Sequence, residues 1–445
     1  MRINASIAAF MILASSFCPP AFASSTPKPA FFLFFSRRQA KGPVIEQSTS
    51  CSDRTAAFSF ILKWGVADEE SYAQGMRPFA AEMISERLDR IDSGGGIPYL
   101  ESRGVSFRTE TAPDYISFSF ECLREDFYDV LEHVCSCLSG FYCDKDVFDA
   151  AKKSYSKKYK DRNGVIDDVY SLFLSEFYRY HPYRRINDYS LSAVSSLSYE
   201  KSSAFMKRLF SPGRMTIALS GNAGREKAEK IIFSHFGTEE IKRSSVSEIQ
   251  WDPAPSLKQD FVLSSSGNGW VIFGYPAPSF SSQDYHAMKV VECLAAKGFS
   301  SRLWVEIREK KGLAYGVGSI YPDLEGPSHI MMYAVISPQN AMKVRKIASD
   351  ALASLAEEGP SDRELEDAKA KAVGEFLIKN ESAAASVMLS ASASALGAPY
   401  AVEDFEKKIM KVTSEDALRV MKKYFSKPEI LIIRPPGLYI NDTWL

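Results

Sequence analysis

The chain repeats itself, and the repeat constrains its fold more than any other feature. Tyr199-Glu200-Lys201 is followed by Phe205-Met206-Lys207-Arg208-Leu209-Phe210-Ser211 and an apolar run, Met215 to Leu219. Ser414-Glu415-Asp416, then Val420-Met421-Lys422-Lys423-Tyr424-Phe425-Ser426 and the run Ile430 to Ile433, restate that series at an offset of 215 residues. Upstream, Asp149-Ala150-Ala151-Lys152 and Glu366-Asp367-Ala368-Lys369 match at an offset of 217. A near-constant offset over this length indicates one structural unit used twice, and a duplication sets the architecture first.

Each copy has the same order of elements. A strand opens it, Ala57 to Lys63 or Trp270 to Gly274, and a helix follows, Gln74 to Arg90 or Gln283 to Lys297. Further strands come next, Tyr115 to Phe120 or Ile330 to Ala334. Long helical stretches then begin at Asp126 to Leu138 and Ala341 to Glu358. Strands followed by grouped helices predict an α+β fold: two homologous domains, each a largely antiparallel sheet covered by helices. The polar stretch 242–258, with Ser244, Ser245, Ser247, Pro253 and Pro255, reads as a linker between domains at 24–241 and 259–445. Ser382 to Ser394, rich in alanine and serine, reads as a small-residue helix packed closely on a neighbour rather than as a second linker.

The N-terminal 23 residues read separately. Arg2, the apolar stretch Ile7 to Phe17 and the Ala21-Phe22-Ala23 pattern before Ser24 resemble a cleaved signal peptide, too short for a comfortable membrane span. Phe17 before Cys18 does not suit a lipid-anchor site. The expectation is an exported protein, periplasmic in a Gram-negative cell, with no integral membrane segment after cleavage. Phe31 to Phe35 suits either a membrane-surface patch or an N-terminal packing arm. Of seven cysteines, Cys51, Cys122, Cys135, Cys137, Cys143 and Cys293 follow the leader. Export permits disulfides but spacing specifies none, and buried free thiols are expected for most.

Charge narrows the partners. With 54 basic and 55 acidic residues there is no basic excess to neutralise phosphates, so nucleic acid is not expected as a partner. Gly94-Gly95-Gly96 lacks the Lys-Ser/Thr of a phosphate cradle, and no serine or cysteine triad signature is present. The five histidines, His133, His181, His235, His286 and His329, lie 43 to 54 residues apart, so no two have helical ligand spacing. They read as scattered polar or surface histidines.

The segment Arg302-Leu303-Trp304-x-x-Ile307-Arg308-Glu309-Lys310-x-Gly312-Leu313-Ala314-Tyr315 resembles the C-terminal-domain signature of pitrilysin/insulinase-type peptidases, which include the mitochondrial processing peptidase. His181-Pro182-Tyr183, and Gly65, Asp68, Glu69 and Gly75, resemble the matching N-terminal half. The resemblance covers roughly residues 45 to 436 and implies two similar α+β domains arranged as a clamshell. Active members carry H-x-x-E-H on the first helix. Two histidines bind zinc and the glutamate serves as general base, with a distal glutamate as third protein ligand. Here Gly75, Phe79 and Met83 fix the register, which puts Pro78, Ala81 and Glu82 at those positions. Lys157 or Lys158 falls at the distal one. None of these suits zinc, and Glu82 reads as a solvated carboxylate. Arg308 and Tyr315, by contrast, match a family pair that contacts bound peptide near the scissile carbonyl. Ser301 to Lys311 is expected as a helix stopped by Gly312, and Tyr315 to Tyr321 as the strand after it.

Some relatives work in pairs, one subunit bearing the zinc helix and the other the arginine and tyrosine. The resemblance therefore implies a non-catalytic subunit of a two-chain zinc metalloendopeptidase. It would hold no cofactor itself. Its partners would be a zinc-bearing homologous subunit and a peptide or unfolded polypeptide substrate. A peptide-binding scaffold without a peptidase partner is the first alternative. A stand-alone metallopeptidase with an unrecognised metal site is the second.

Overall fold

A computed structural model describes residues 43–47, 54–69, 74–90, 99–140, 144–160, 164–187, 191–220, 224–237, 260–263 and 265–437. The leader, Phe31 to Phe35, Gly94 to Gly96, the stretch 242–258, Cys51 and Cys143 lie outside the described residues.

The first half contains β1 (Val44–Gln47), β2 (Thr55–Leu62), α1 (Met76–Arg90), β3 (Ser106–Thr111), β4 (Ile116–Leu123), α2 (Phe127–Ser139), α3 (Lys145–Lys160), α4 (Val165–Phe177), α5 (Tyr199–Leu209), β5 (Met215–Leu219) and α6 (Arg225–Phe236). The second contains β6 (Asp260–Val262), β7 (Gly269–Ala277), α7 (Tyr285–Ala295), β8 (Ala314–Ile320), β9 (Ser328–Ile336), α8 (Ala341–Glu358), α9 (Asp362–Lys379), α10 (Ala383–Ala395), α11 (Ser414–Tyr424) and β10 (Glu429–Arg434). The strand orders are β1-β5-β2-β4-β3 and β6-β10-β7-β9-β8, which is one topology drawn twice. In each sheet only one outer pair is parallel, β1 with β5 and β6 with β10. The duplication seen in the sequence is thus a duplication of two five-stranded, mostly antiparallel sheets.

Strand periodicity explains how the sheets are covered. Along β2, Phe58 and Phe60 point to one face, where they join Phe118, Phe120, Phe79 and Phe127 in a core beneath α1 and α2. Ala57, Ser59 and Ile61 point to the other face. That face is covered by a helix from the other half: Ala57, Ile61 and Ala218 pack with Ala383, Val387, Ala391 and Ala395 of α10. Small residues on both sides let helix and sheet approach closely. Ser59 Oγ lies 3.7 Å from Met388 Sδ, and Ser394 Oγ donates to the buried Glu46 carboxylate at 2.8 Å. The expectation for Ser382 to Ser394 is met, and its neighbour is the opposite sheet.

The second half is treated reciprocally. Helix α4 of the first half packs Val169, Phe173 and Phe177 on Trp270, Ile272, Met331 and Leu431 of the second sheet. Gly274 makes room for it, since a β-carbon there would lie 2.3 Å from the Phe173 ring. Each half therefore lends its fourth helix to the other's sheet. His329 of β9 sits in this seam, within 2.9 Å of the Tyr170 and Tyr178 hydroxyls.

Candidate functional site

Helix α1 is held by the residues whose pattern suggested it. Gly75 adopts φ +80° at its start, a conformation glycine accepts at little cost. Gly65 approaches the 113–114 backbone so closely that a β-carbon would sit 2.7 Å from Asp114 Cα. Asp68 accepts from Gly65 N–H and pairs with Arg214 at 2.9 Å, and Glu69 accepts from Arg77 N–H at 2.9 Å. His181 caps the short turn 182–185, and Tyr183 donates to Asp114 at 2.7 Å. Burial pushes the Asp114 carboxyl up to about 6. Arg77, which sequence reasoning overlooked, is fully buried beneath the helix and donates to the carbonyls of Ala112 and Ile186.

Pro78, Ala81 and Glu82, the positions that the resemblance aligns with the family's zinc motif, lie on α1 where it crosses α3. Pro78 and Ala81 bring no ligand atom. Glu82 departs from its expected solvated state: it is 7% exposed and faces α3. Ser154 Oγ donates to one of its carboxylate oxygens at 2.5 Å, and Lys158 Nζ lies 3.2 Å from the other. Of the two lysines considered for the distal position, Lys158 is the one paired with Glu82. A single carboxylate already bound to an ammonium and a hydroxyl does not fit zinc, which takes three protein ligands in catalytic sites. The lysine supplies a positive charge of the chain's own there. Among the described residues no group of three histidine, cysteine, aspartate or glutamate side chains is arranged to hold a metal.

The second half repeats this in altered form. Helix α7 packs on α9 as α1 packs on α3, and the 217-residue offset puts Glu375 opposite Lys158. Glu292, 2% exposed, faces it, and Lys297 lies between them, 3.5 Å from Glu292 and 3.0 Å from Glu375. Burial opposes the Lys297 charge, but the two carboxylates hold its pKa above the ordinary lysine value.

Arg308 and Tyr315 stand together on the surface. The helix expected over Ser301 to Lys311 is instead a widened π turn, Trp304–Glu309, in which Lys310 N–H bonds to Val305 C=O five residues back. Gly312 follows at φ +62°, and β8 begins at Ala314. The Arg308 guanidinium lies 4.3 Å over the Trp304 ring and donates to the Tyr315 carbonyl at 2.5 Å. Tyr315, 61% exposed, has its hydroxyl 3.0 Å from Ser337 Oγ.

The histidines serve local structure. His286 Nε2 lies 2.8 Å from Ala401 C=O, His235 pairs with Glu132 at 2.7 Å, and His133 Nε2 lies 3.6 Å from Cys137 Sγ. His181, His286 and His329 are pushed down by burial, to about 4, 4 and 3. Cys122, Cys135, Cys137 and Cys293 are buried, and Cys122, Cys135 and Cys293 are free thiols. No helix of the described residues is long and apolar enough to cross a membrane.

Two copies of one α+β unit, each a five-stranded sheet with its helices, define the fold. Known proteins share it. Residues 196–372 match the family profile described as the Peptidase M16 inactive domain. A Mycobacterium leprae protein named an uncharacterized zinc protease is 24% identical over 334 residues, 73% of this chain and 74% of its own. The zinc protease PqqE of Helicobacter pylori is 24% identical over 283 residues, covering 60% and 62%. Among solved structures, a Helicobacter pylori protease superposes with TM-score 0.78 at 17% identity, over 91% of this chain and all of its own. A peptidase M16 inactive domain from Pseudomonas fluorescens gives TM-score 0.76 at 18% identity, over 91% and 98%. Its match to the Peptidase M16 inactive domain over residues 196–372, and its similarity to proteins named zinc proteases, fit a peptidase homologue of the M16 type.

Proposed function

We propose that this chain is the non-catalytic subunit of an exported two-chain zinc metalloendopeptidase. Arg308 and Tyr315 would face a substrate cleaved at the partner's site. The observation that carries this reading is the presentation of Arg308. Its planar group is stacked on Trp304 and oriented by one carbonyl, and the remaining donors of its fork have no partner among the described residues. Preoriented donors stabilise negative charge developing on a peptide carbonyl, and the exposed Tyr315 hydroxyl adds one more. The metal and the water it activates belong to a homologous partner that retains H-x-x-E-H, since Glu82 here is committed to Ser154 and Lys158.

The test is co-expression with such a partner. The complex is expected to cleave an unfolded polypeptide, and Arg308→Ala to lower kcat about a hundredfold without dissociating the chains. Undiminished cleavage by the mutant complex would remove the role of Arg308. Stoichiometric zinc and peptidase activity in this chain alone would overturn the reading. Export is tested by N-terminal sequencing of the mature protein, expected to begin at Ser24.

A further inference from the structure

Helix α10 covers its face of the first sheet incompletely, and a cavity of about 270 Å³ remains beside it. Strand alternation puts charges into that space. On edge strand β3, Thr109 points to α1, where its hydroxyl lies 3.0 Å from Ser85 Oγ, so Arg108 and Glu110 point the other way. Arg108 is opposite Ser119 of β4, and Glu121 lies two residues further along the same face. Arg108 is thus flanked by two carboxylates. The facing wall belongs to the second half. Lys379 ends α9 there, and Ser382 caps α10 by accepting from Ala385 N–H at 3.1 Å. Met388 and Leu389 of α10 supply an apolar part. Asp323, also on this wall, is already held by Lys289 at 3.0 Å and Tyr285 at 2.9 Å. By contrast, among the described residues the side chains of Arg108, Glu110, Glu121 and Lys379 make no hydrogen bond or ion pair.

We infer that this cavity is a binding site for a free α-amino acid with an apolar side chain. The inference does not depend on Arg308 or on a peptidase partner. Unpaired charges of both signs around one concave space suit a ligand that carries both signs close together. The ligand carboxylate would lie between Arg108 and Lys379, which approach from opposite walls, with the positive end of α10 behind it. The ammonium would lie against Glu110 and Glu121, and the side chain against Met388 and Leu389. Other ligand classes leave the lining incomplete. An inorganic anion leaves the two carboxylates unpaired, and a metal cation leaves the arginine and lysine unpaired. A neutral sugar would desolvate all four charges and neutralise none. A long peptide brings only one of its charged ends. The volume lies just below the ~300 Å³ at which drug-sized sites begin, which suits a ligand of one residue.

The test is isothermal titration calorimetry of the full chain with free leucine, N-acetyl-leucine and leucinamide. Free leucine is expected to bind. The two derivatives, each lacking one charge, should bind about tenfold more weakly or worse. Arg108→Gln and Glu121→Gln should each weaken leucine by about tenfold as well. Neither side chain is bonded to the protein, and an unchanged melting temperature would verify that each variant folds. No binding of leucine to the parent chain overturns the site. N-acetyl-leucine binding as tightly as leucine would mean that the cavity reads a carboxylate alone, and leucinamide doing so, an ammonium alone; either overturns the amino-acid assignment. Leucine affinity left unchanged by either variant places the ligand elsewhere and overturns the cavity. Every measurement is made without a partner subunit, so its failure leaves the proposed role of Arg308 untouched.

Discussion

His329 allows the seam between the two halves to be tested by acid. It is fully buried on β9 beneath α4, with Nδ1 and Nε2 each 2.9 Å from a phenol, those of Tyr178 and Tyr170. Tyr178 donates its one proton to Pro327 C=O at 2.8 Å, so it accepts from the ring. His329 therefore carries its proton on Nδ1 and accepts from Tyr170 at Nε2. Phe173 and Phe177 complete the surroundings, with ring centroids 5.3 and 5.8 Å away. Burial among these neutral groups pushes the imidazole down to about 3. The folded pKa thus lies below the unfolded value of about 6.5. Stability from the neutral ring is fully present above about pH 6.5 and is lost as pH falls towards 3. At about pH 5 the gap from 6.5 is about 1.5 units, at about 1.36 kcal/mol each, or about 2 kcal/mol. Urea unfolding of the parent chain and of His329→Gln at about pH 8 and about pH 5 reads this directly. The stability difference between the two proteins should shrink by about 2 kcal/mol on acidification. His181 and His286, depressed in the same sense, and Asp114, raised in the opposite sense, act in both proteins and cancel. A difference that does not change with pH would refute the buried neutral imidazole.

Three further outcomes follow from packing and charge. Gly274→Ala should destabilise the chain by about 1–3 kcal/mol in urea unfolding, because the new methyl meets the Phe173 ring and presses α4 off the second sheet; an unchanged midpoint would mean the seam gives way freely. A double-mutant cycle with Glu82→Gln and Lys158→Met should give a coupling of no more than about 1 kcal/mol, since Lys158 is 58% exposed and solvent screens the pair. Cys122 and Cys293, pushed up to about 12 by burial, should not react with a thiol reagent near pH 8 until urea is added; rapid native labelling would show that these cores open.

The sequence made local and repeated features legible. A near-constant offset identifies the two units, and the helix expected over Gln74 to Arg90 is α1. The alanine–serine run correctly indicated a close-packed helix. Periodicity shows that a helix has an apolar face, however, and not which sheet it covers. The exchange of α4 and α10 between halves depends on Phe173 meeting Gly274 and Ala391 meeting Ala57, pairs far apart in the chain. Glu82 was misread for the same reason: its partners Ser154 and Lys158 lie 72 and 76 residues away. The π turn was invisible because bonding to the fifth residue rather than the fourth leaves no compositional trace. Its consequence, Arg308 stacked on Trp304 four residues earlier, suits helical spacing equally well.

Comparison of the two halves separates what the fold needs from what a substrate could use. Where a strand-following helix crosses the helix after the sheet, each half places a buried glutamate, Glu82 or Glu292, and satisfies it with a lysine of the same chain. A buried carboxylate left alone would be costly, and the ammonium beside it offsets that cost. The two lysines come from different places, Lys158 from α3 itself and Lys297 from just beyond α7, so the solutions differ in residue and agree in charge. At both crossings the carboxylate is buried and paired, while the Lys158 end stays open to solvent. Arg308 presents the opposite condition: an exposed cation, held rigid by a ring and a carbonyl, with donors to spare. A charge that the fold leaves incomplete is the group most able to gain from a bound peptide, and the peptide contact we propose for this chain is therefore placed at the π turn rather than at α1.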